Sequence, residues 1–127
     1  MAKQYNDITE PQTGEHLRGV LTLGENCADN GGIKEAFGAY QAHKKKVRDS
    51  KVLPGLKFSP DQLFFVSYAN IWCQAITEKK LKDNIMIDPH APNKYRVNVV
   101  LGNFDQFSKA FNCPAGSKMN PVNKCSI

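Results

Sequence analysis

GENCADNGG, residues 24–32, sets two carboxylates, Glu25 and Asp29, four positions apart at the front of a stretch with helical periodicity. From Leu21 to Arg48 the residues Ile33, Ala36, Phe37, Tyr40 and Val47 recur at helical spacing, which predicts one long helix interrupted by Gly31 and Gly32. At about 100° per residue with Glu25 at zero, Asp29 falls near 40°, Gly32 near −20°, Ala36 near 20° and Tyr40 near 60°, so the acids are expected to begin the stripe that packs inward. An ionised carboxylate buried without a partner costs several kcal/mol, so such groups are paired, protonated or bound to metal. The alternative is a first helical turn still in water, where acids complement the positive end of the helix dipole. Two glycines inside a helix cost roughly 1 kcal/mol each relative to alanine. They imply that something approaches the backbone closely there.

Outward from that helix, Asp49–Lys57 with Pro54 and Gly55 reads as a loop. Ser59, Pro60 and Gln62 then spell an N-cap, a first-turn proline and a capping-box partner. They predict a helix to about Lys82, burying Leu63, Phe64, Tyr68, Ile71, Trp72, Ala75 and Ile76. DPHAPNKYR, residues 88–96, carries two prolines and reads as a loop. Tyr95–Leu101 admits at most a short extended piece. Asn103 with Gln106 resembles another cap and box, opening a short helix through Phe104, Phe107, Ala110 and Phe111. Residues 1–19 read as a loosely organised lead-in and 114–127 as an irregular tail. The expectation is a mainly α architecture in one domain.

The 127 residues suffice for a single modest core, and 41% hydrophobic with 23% charged content is ordinary for a globular chain. The net charge of +5 is mild, and much of it sits in Lys44, Lys45, Lys46 and Arg48. Cations there complement the negative end of the predicted helix, and a solvated helix end is favoured over a nucleic-acid patch. No run of about 18 apolar residues occurs, so no membrane-spanning segment is expected in this chain. Cys27, Cys73, Cys113 and Cys125 form no metal-binding spacing, and disulfides among them require an oxidising compartment.

GENCADNGG followed by a helix closely resembles the GENxADNGG segment of the neprilysin and endothelin-converting-enzyme family of zinc endopeptidases. The likeness continues in the same order through LPGLKFSPDQLFF (53–65), NIWC (70–73), DPHAPNKYR (88–96), FSKAFNC (107–113) and MNPVNKC (119–125), from about Gln4 to the last residue. It implies the helical C-terminal portion of a zincin-type catalytic domain. By resemblance, Glu25 is a zinc ligand and Asp29 orients a zinc-bound histidine. Adjacent turns of one helix suit those two tasks. His90 and Arg96 match residues that contact bound substrate: the imidazole steadies the oxyanion, and the guanidinium holds a peptide carbonyl. Ile71 and Trp72 match the wall of the pocket for the apolar side chain just after the scissile bond. The implied activity is hydrolysis of peptide bonds on the amino side of hydrophobic residues.

The resemblance also implies what lies outside the chain. A catalytic zinc takes three protein ligands and a water, and the family draws two ligands and the general base from an HExxH helix. No HExxH occurs here; His16, His43 and His90 stand too far apart. The expectation is a C-terminal fragment, inactive by itself, whose partners are peptide substrates and the upstream part of the same catalytic domain. Homo-oligomerisation through surfaces meant for that part is a further expectation. Cys73, Cys113 and Cys125 match positions whose disulfide partners lie upstream in the family, whereas Cys27 departs from its pattern. An extracellular or cell-surface ectodomain is implied. A competing reading is a non-catalytic secreted binding module derived from the same family.

Overall fold

A computed structural model describes residues 1–47 and 52–127. Among them six helices occur and no strand: α1 Ala2–Asn6, α2 Leu23–Val47, α3 Pro60–Ile71, α4 Glu78–Ile87, α5 Asn93–Asn103 and α6 Asp105–Ala110. The mainly α expectation holds. Arg48, the anticipated helix end, and Asp49–Lys51 of the anticipated loop lie outside the described residues.

The long helix forms, but its inward face differs from the expected one. The buried residues of α2 are Asn26, Asn30, Ile33 and Phe37, which centre about 110° around the helix from Glu25. Ala36 and Gly32 are exposed, and the acids flank the buried stripe rather than begin it. A Cβ at Gly31 or Gly32 would meet nothing within 4 Å, so the expected crowding is absent there. The close approach falls instead at Gly19, where a Cβ would collide with the Ala2 carbonyl oxygen.

Ser59 caps α3 as its sequence dictates. Its hydroxyl accepts from Gln62 N at 3.2 Å, and the Gln62 side chain accepts from Ser59 N at 2.8 Å. The helix that follows stops at Ile71 instead of running to Lys82. Trp72 terminates it, and Thr77 restarts the chain as the N-cap of α4, accepting from Lys80 N at 3.3 Å. Thr77 followed by Glu78 is a second start signal, masked in the sequence by the apolar residues that span the break. Phe65, 1% exposed, is the buried centre of α3, whereas Ile71 is 73% exposed.

The Tyr95–Leu101 stretch is helical, not extended. Its valines favour a strand locally, but Val100 and Leu101 pack with Ile33, Phe37 and Phe65, and tertiary burial overrides a weak propensity. Asn103 ends α5 rather than capping α6, whose N-cap is Phe104 with no side-chain bond.

Two apolar clusters organise the molecule. Ile33, Phe37, Phe65, Val100 and Leu101 form one, ringed by Phe64, Phe104, Phe107 and Phe111. Phe65 stacks on Phe37 at 5.0 Å and meets Phe107 edge-on at 5.4 Å. Tyr5, Leu17, Leu81, Ile85, Ala91 and Tyr95 form the other, so residues 1–19 contribute two core side chains and are tied to the body of the fold. A polar seam joins α1, α2 and α5: Asn103 Nδ2 donates to Asn30 Oδ1 at 3.0 Å and to Gln4 Oε1 at 2.9 Å. Asn30 Nδ2 donates to the Asn26 carbonyl at 2.7 Å. Residues 114–127 hold no helix or strand and are pinned by Lys124 to Asp105 at 2.6 Å and by Cys125 N to Asn103 Oδ1 at 3.1 Å.

Candidate active site

Adjacent turns of α2 present Glu25 and Asp29 toward the segment that links α4 to α5. Asp88 ends α4, His90 lies in the proline-flanked connection, and Arg96 stands in the first turns of α5. The packing of α2 on α5 brings the two pieces together.

Asp29 and Arg96 form the tightest contact. Arg96 Nε donates to Asp29 Oδ2 at 2.7 Å, and Nη2 donates to Oδ1 at 2.8 Å. Both side chains are largely withdrawn from water, at 10% and 12% exposure. The Asp29 carboxylate raises the Arg96 pKa above its already high value, so the guanidinium is charged at every relevant pH. Arg96 Nη2 lies 3.7 Å from Glu25 Oε2. Its Cζ stands 4.1 Å from the centre of the Trp72 ring.

His90 is held from the other side. Asp88 Oδ1 accepts from His90 N at 2.9 Å and meets His90 Nδ1 at 2.8 Å. The backbone N–H of His90 leads in holding the Asp88 carboxyl below its usual range, against the opposing effect of burial and with help from the ring. An ionised carboxylate only accepts, so Nδ1 carries a proton and Nε2 is the ring atom left to face the site. Nε2 points to Glu25 Oε2 at 3.4 Å. Asp88 was not among the residues expected at the site. Its signal was the Asp-x-His spacing, in which an aspartate side chain turns back on the chain two residues on.

A cleft of about 1090 Å³ opens beside these groups, lined by Trp72, Cys73, Ile76, His90, Arg96 and Val97 among others. Trp72 is thus at the site; Ile71, its expected companion, is exposed and does not line this cleft. The wall also carries Lys94, paired at 2.7 Å with Glu10, whose side chain is fully buried.

Glu25 fits one place in a zinc site. Its carboxylate is 43% exposed, and its contacts of 3.4 and 3.7 Å are looser than those holding Asp29. Carboxylate oxygen is a normal zinc donor, but a catalytic site takes three protein ligands. No group of three or more His, Cys, Asp or Glu side chains able to hold a metal occurs among the described residues. All four cysteines are free thiols in this structure, and no helix among the described residues is long and apolar enough to cross a membrane.

Known proteins carry a similar segment. The description Peptidase family M13 matches residues 1–127. The chain is 48% identical to an endothelin-converting enzyme homolog of Locusta migratoria, with 98% of the chain and 17% of that protein aligned. It is 42% identical to neprilysin of Oryctolagus cuniculus, with 100% and 17% aligned. The fold is similar to the zinc metalloprotease ZMP1 of Mycobacterium tuberculosis in its open state, at a TM-score of 0.86 and 28% identity over 99% of this chain and 20% of that one. The chain therefore spans about one-sixth of the length of the curated relatives it matches. With its family description matched from end to end, the chain belongs to Peptidase family M13.

Proposed function

We propose that this chain is the C-terminal part of a neprilysin-like zinc metalloendopeptidase that cleaves peptide bonds on the amino side of hydrophobic residues. The observation that carries the reading is the convergence of Glu25 and Asp29 on His90 and Arg96, with Trp72 and the cleft beside them. Similarity to a zinc metalloprotease supports the choice of metal. Glu25 would supply one oxygen ligand, and upstream polypeptide carrying HExxH would supply the others. Zinc held there would supply polarisation of the scissile carbonyl and activation of water.

The residues of this chain do the rest. His90, its Nδ1–H donated to Asp88, would in its doubly protonated form donate Nε2–H where oxyanion charge develops. Arg96 spends Nε and Nη2 on Asp29 and keeps Nη1 for a peptide carbonyl. Asp29, whose two oxygens each retain accepting capacity, would also orient a zinc-bound histidine. The indole of Trp72 offers an apolar wall to the substrate side chain. Catalysis of this type rests on donors fixed before the charge appears. Both donors here are clamped by carboxylates. Residence in a cell-surface or secreted ectodomain goes with this reading.

The test uses the complete polypeptide that carries this chain. A chelator-sensitive activity on peptides with an apolar residue after the scissile bond is expected, and Glu25→Val should lower kcat/KM by more than about 10²-fold. Full activity of Glu25→Val overturns the assignment. By itself the 127-residue chain should neither hold zinc tightly nor cleave peptides. Chelator-sensitive hydrolysis by the pure chain would overturn that part.

A further inference from the structure

We propose that Trp72 is a positioning residue for Arg96, setting the tilt of the guanidinium plane so that Nη1 faces the cleft. The paired hydrogen bonds to Asp29, at 2.7 and 2.8 Å, lie in the plane of the guanidinium. They fix where that plane's edge points but leave it free to rock about the line joining the two groups. An aromatic face laid against the plane removes that freedom. The Trp72 ring centre lies 4.1 Å from Arg96 Cζ, within cation–π distance. Arg96 is thereby held on an edge and a face, and Nη1 has no hydrogen-bond partner among the described residues.

Trp72 is itself fixed from both neighbouring helices. Asn93 Nδ2, in the first turn of α5, donates to the Trp72 carbonyl at 3.1 Å. Tyr68, one turn earlier on α3, meets the indole edge-on with ring centres 6.5 Å apart, and its hydroxyl donates to the Arg96 carbonyl at 2.8 Å. The end of α3 and the start of α5 are thus joined through the pair that faces the cleft. A substrate side chain pressing on the indole would bear on the donor for the neighbouring carbonyl. The role of Arg96 as that donor rests on the proposed peptidase reading; the stacking claim does not.

The experiment has two arms. In the isotopically labelled 127-residue chain, the Arg96 Hδ and Hε resonances should be shifted upfield by the indole ring current. The shift should persist in part in Trp72→Phe and vanish in Trp72→Leu. Arg96 resonances at ordinary positions in the unsubstituted chain overturn the proposal, a result that needs no variant to fold. In the complete polypeptide, Trp72→Leu should lower kcat/KM about tenfold or more through kcat, and Trp72→Phe, which keeps an aromatic face, should lose severalfold less. Preference among apolar side chains should shift as well, since the indole is also the pocket wall, but the loss in kcat should appear on every substrate. Equal activity of Trp72→Leu and Trp72→Phe, or a loss confined to side-chain preference, overturns the positioning role. Absence of peptidase activity with the ring-current shifts present leaves the stacking supported and sinks only the peptidase reading.

Discussion

Asp29 and Arg96, 67 residues apart in the chain, meet in a two-pronged ion pair between α2 and α5, with both N···O distances under 3 Å. At 10% and 12% exposure neither charge has much water to fall back on. Removing one partner strands the other, which for a buried pair costs about 3–5 kcal/mol. Asp29→Ala should therefore destabilise the chain by about 3 kcal/mol, toward the low end because some exposure remains. Arg96→Met should do similarly. The double substitution should cost less than the sum, since it leaves no stranded charge. Urea unfolding of the four proteins checks this; strict additivity would show that the pair is not coupled.

Glu10 gives the fold an acid limb. Burial pushes its carboxyl up, but hydrogen bonds from Lys94, Gln12 N and the Tyr95 hydroxyl outweigh it and hold the native pKa below the ordinary 4.5. A depressed native value stabilises the fold at pH above the unfolded value, and that contribution disappears as pH falls through the native one. Unfolding free energy should drop with acid below about pH 4.5. In Glu10→Gln the side chain still accepts from Tyr95 but cannot titrate. Its stability should be lower at pH 7 and flatter through the acid range, with the gap to the parent narrowing as pH falls. Parallel curves would assign the acid limb to other carboxylates.

Much of this site was legible in the sequence because it is written in local chemistry. Ser59, Pro60 and Gln62 specify the start of α3 through bonds made within one turn. GENCADNGG and DPHAPNKYR specify residue types at fixed spacing. What escaped was decided by packing between distant segments. The valines of α5 read as strand until Ile33 and Phe37 are seen against Val100 and Leu101. Asn26 and Asn30 are polar and carry no apolar signal, yet both are buried: Asn26 Nδ2 donates to Thr22 Oγ1, and Asn30 donates to the Asn26 carbonyl while its Oδ1 accepts from Asn103. The ion pair of Asp29 with Arg96 was likewise invisible, because nothing in either motif names its partner. The break at Trp72 was present as Thr77 and Glu78, but apolar residues on both sides disguised it.

Gly19 sits where backbone leaves no room for a side chain. Its backbone N–H donates to Asn6 Oδ1 at 2.6 Å, and a Cβ there would strike the Ala2 carbonyl oxygen and crowd Asn6 N at 2.9 Å. Those obstacles are backbone, so α1 itself would have to move. Gly19→Ala should cost about 1–3 kcal/mol, the usual range for overpacking. Gly31→Ala meets open space inside α2 and should be neutral to stabilising by up to about 1 kcal/mol through helix propensity. Thermal melts of the two variants should shift in opposite directions. A Gly19→Ala melt equal to the parent would mean that α1 is not seated as described.

Asp88 and His90 act as one unit on the proposed reading. The carboxylate takes both the backbone N–H and the ring Nδ1 of His90, at 2.9 and 2.8 Å. Removing one oxyanion donor lowers kcat by about 10²–10³-fold, which sets the expectation for His90→Ala. Asp88→Ala leaves the ring in place but frees its rotation and tautomer, so a smaller loss of about 10-fold to 10²-fold is expected. Because Asp88 works only through the ring, adding Asp88→Ala to His90→Ala should change kcat little. Steady-state kinetics of the complete polypeptide with all three variants measures this. A double variant slower than His90→Ala by the full Asp88→Ala factor would show that Asp88 contributes by a route independent of the imidazole.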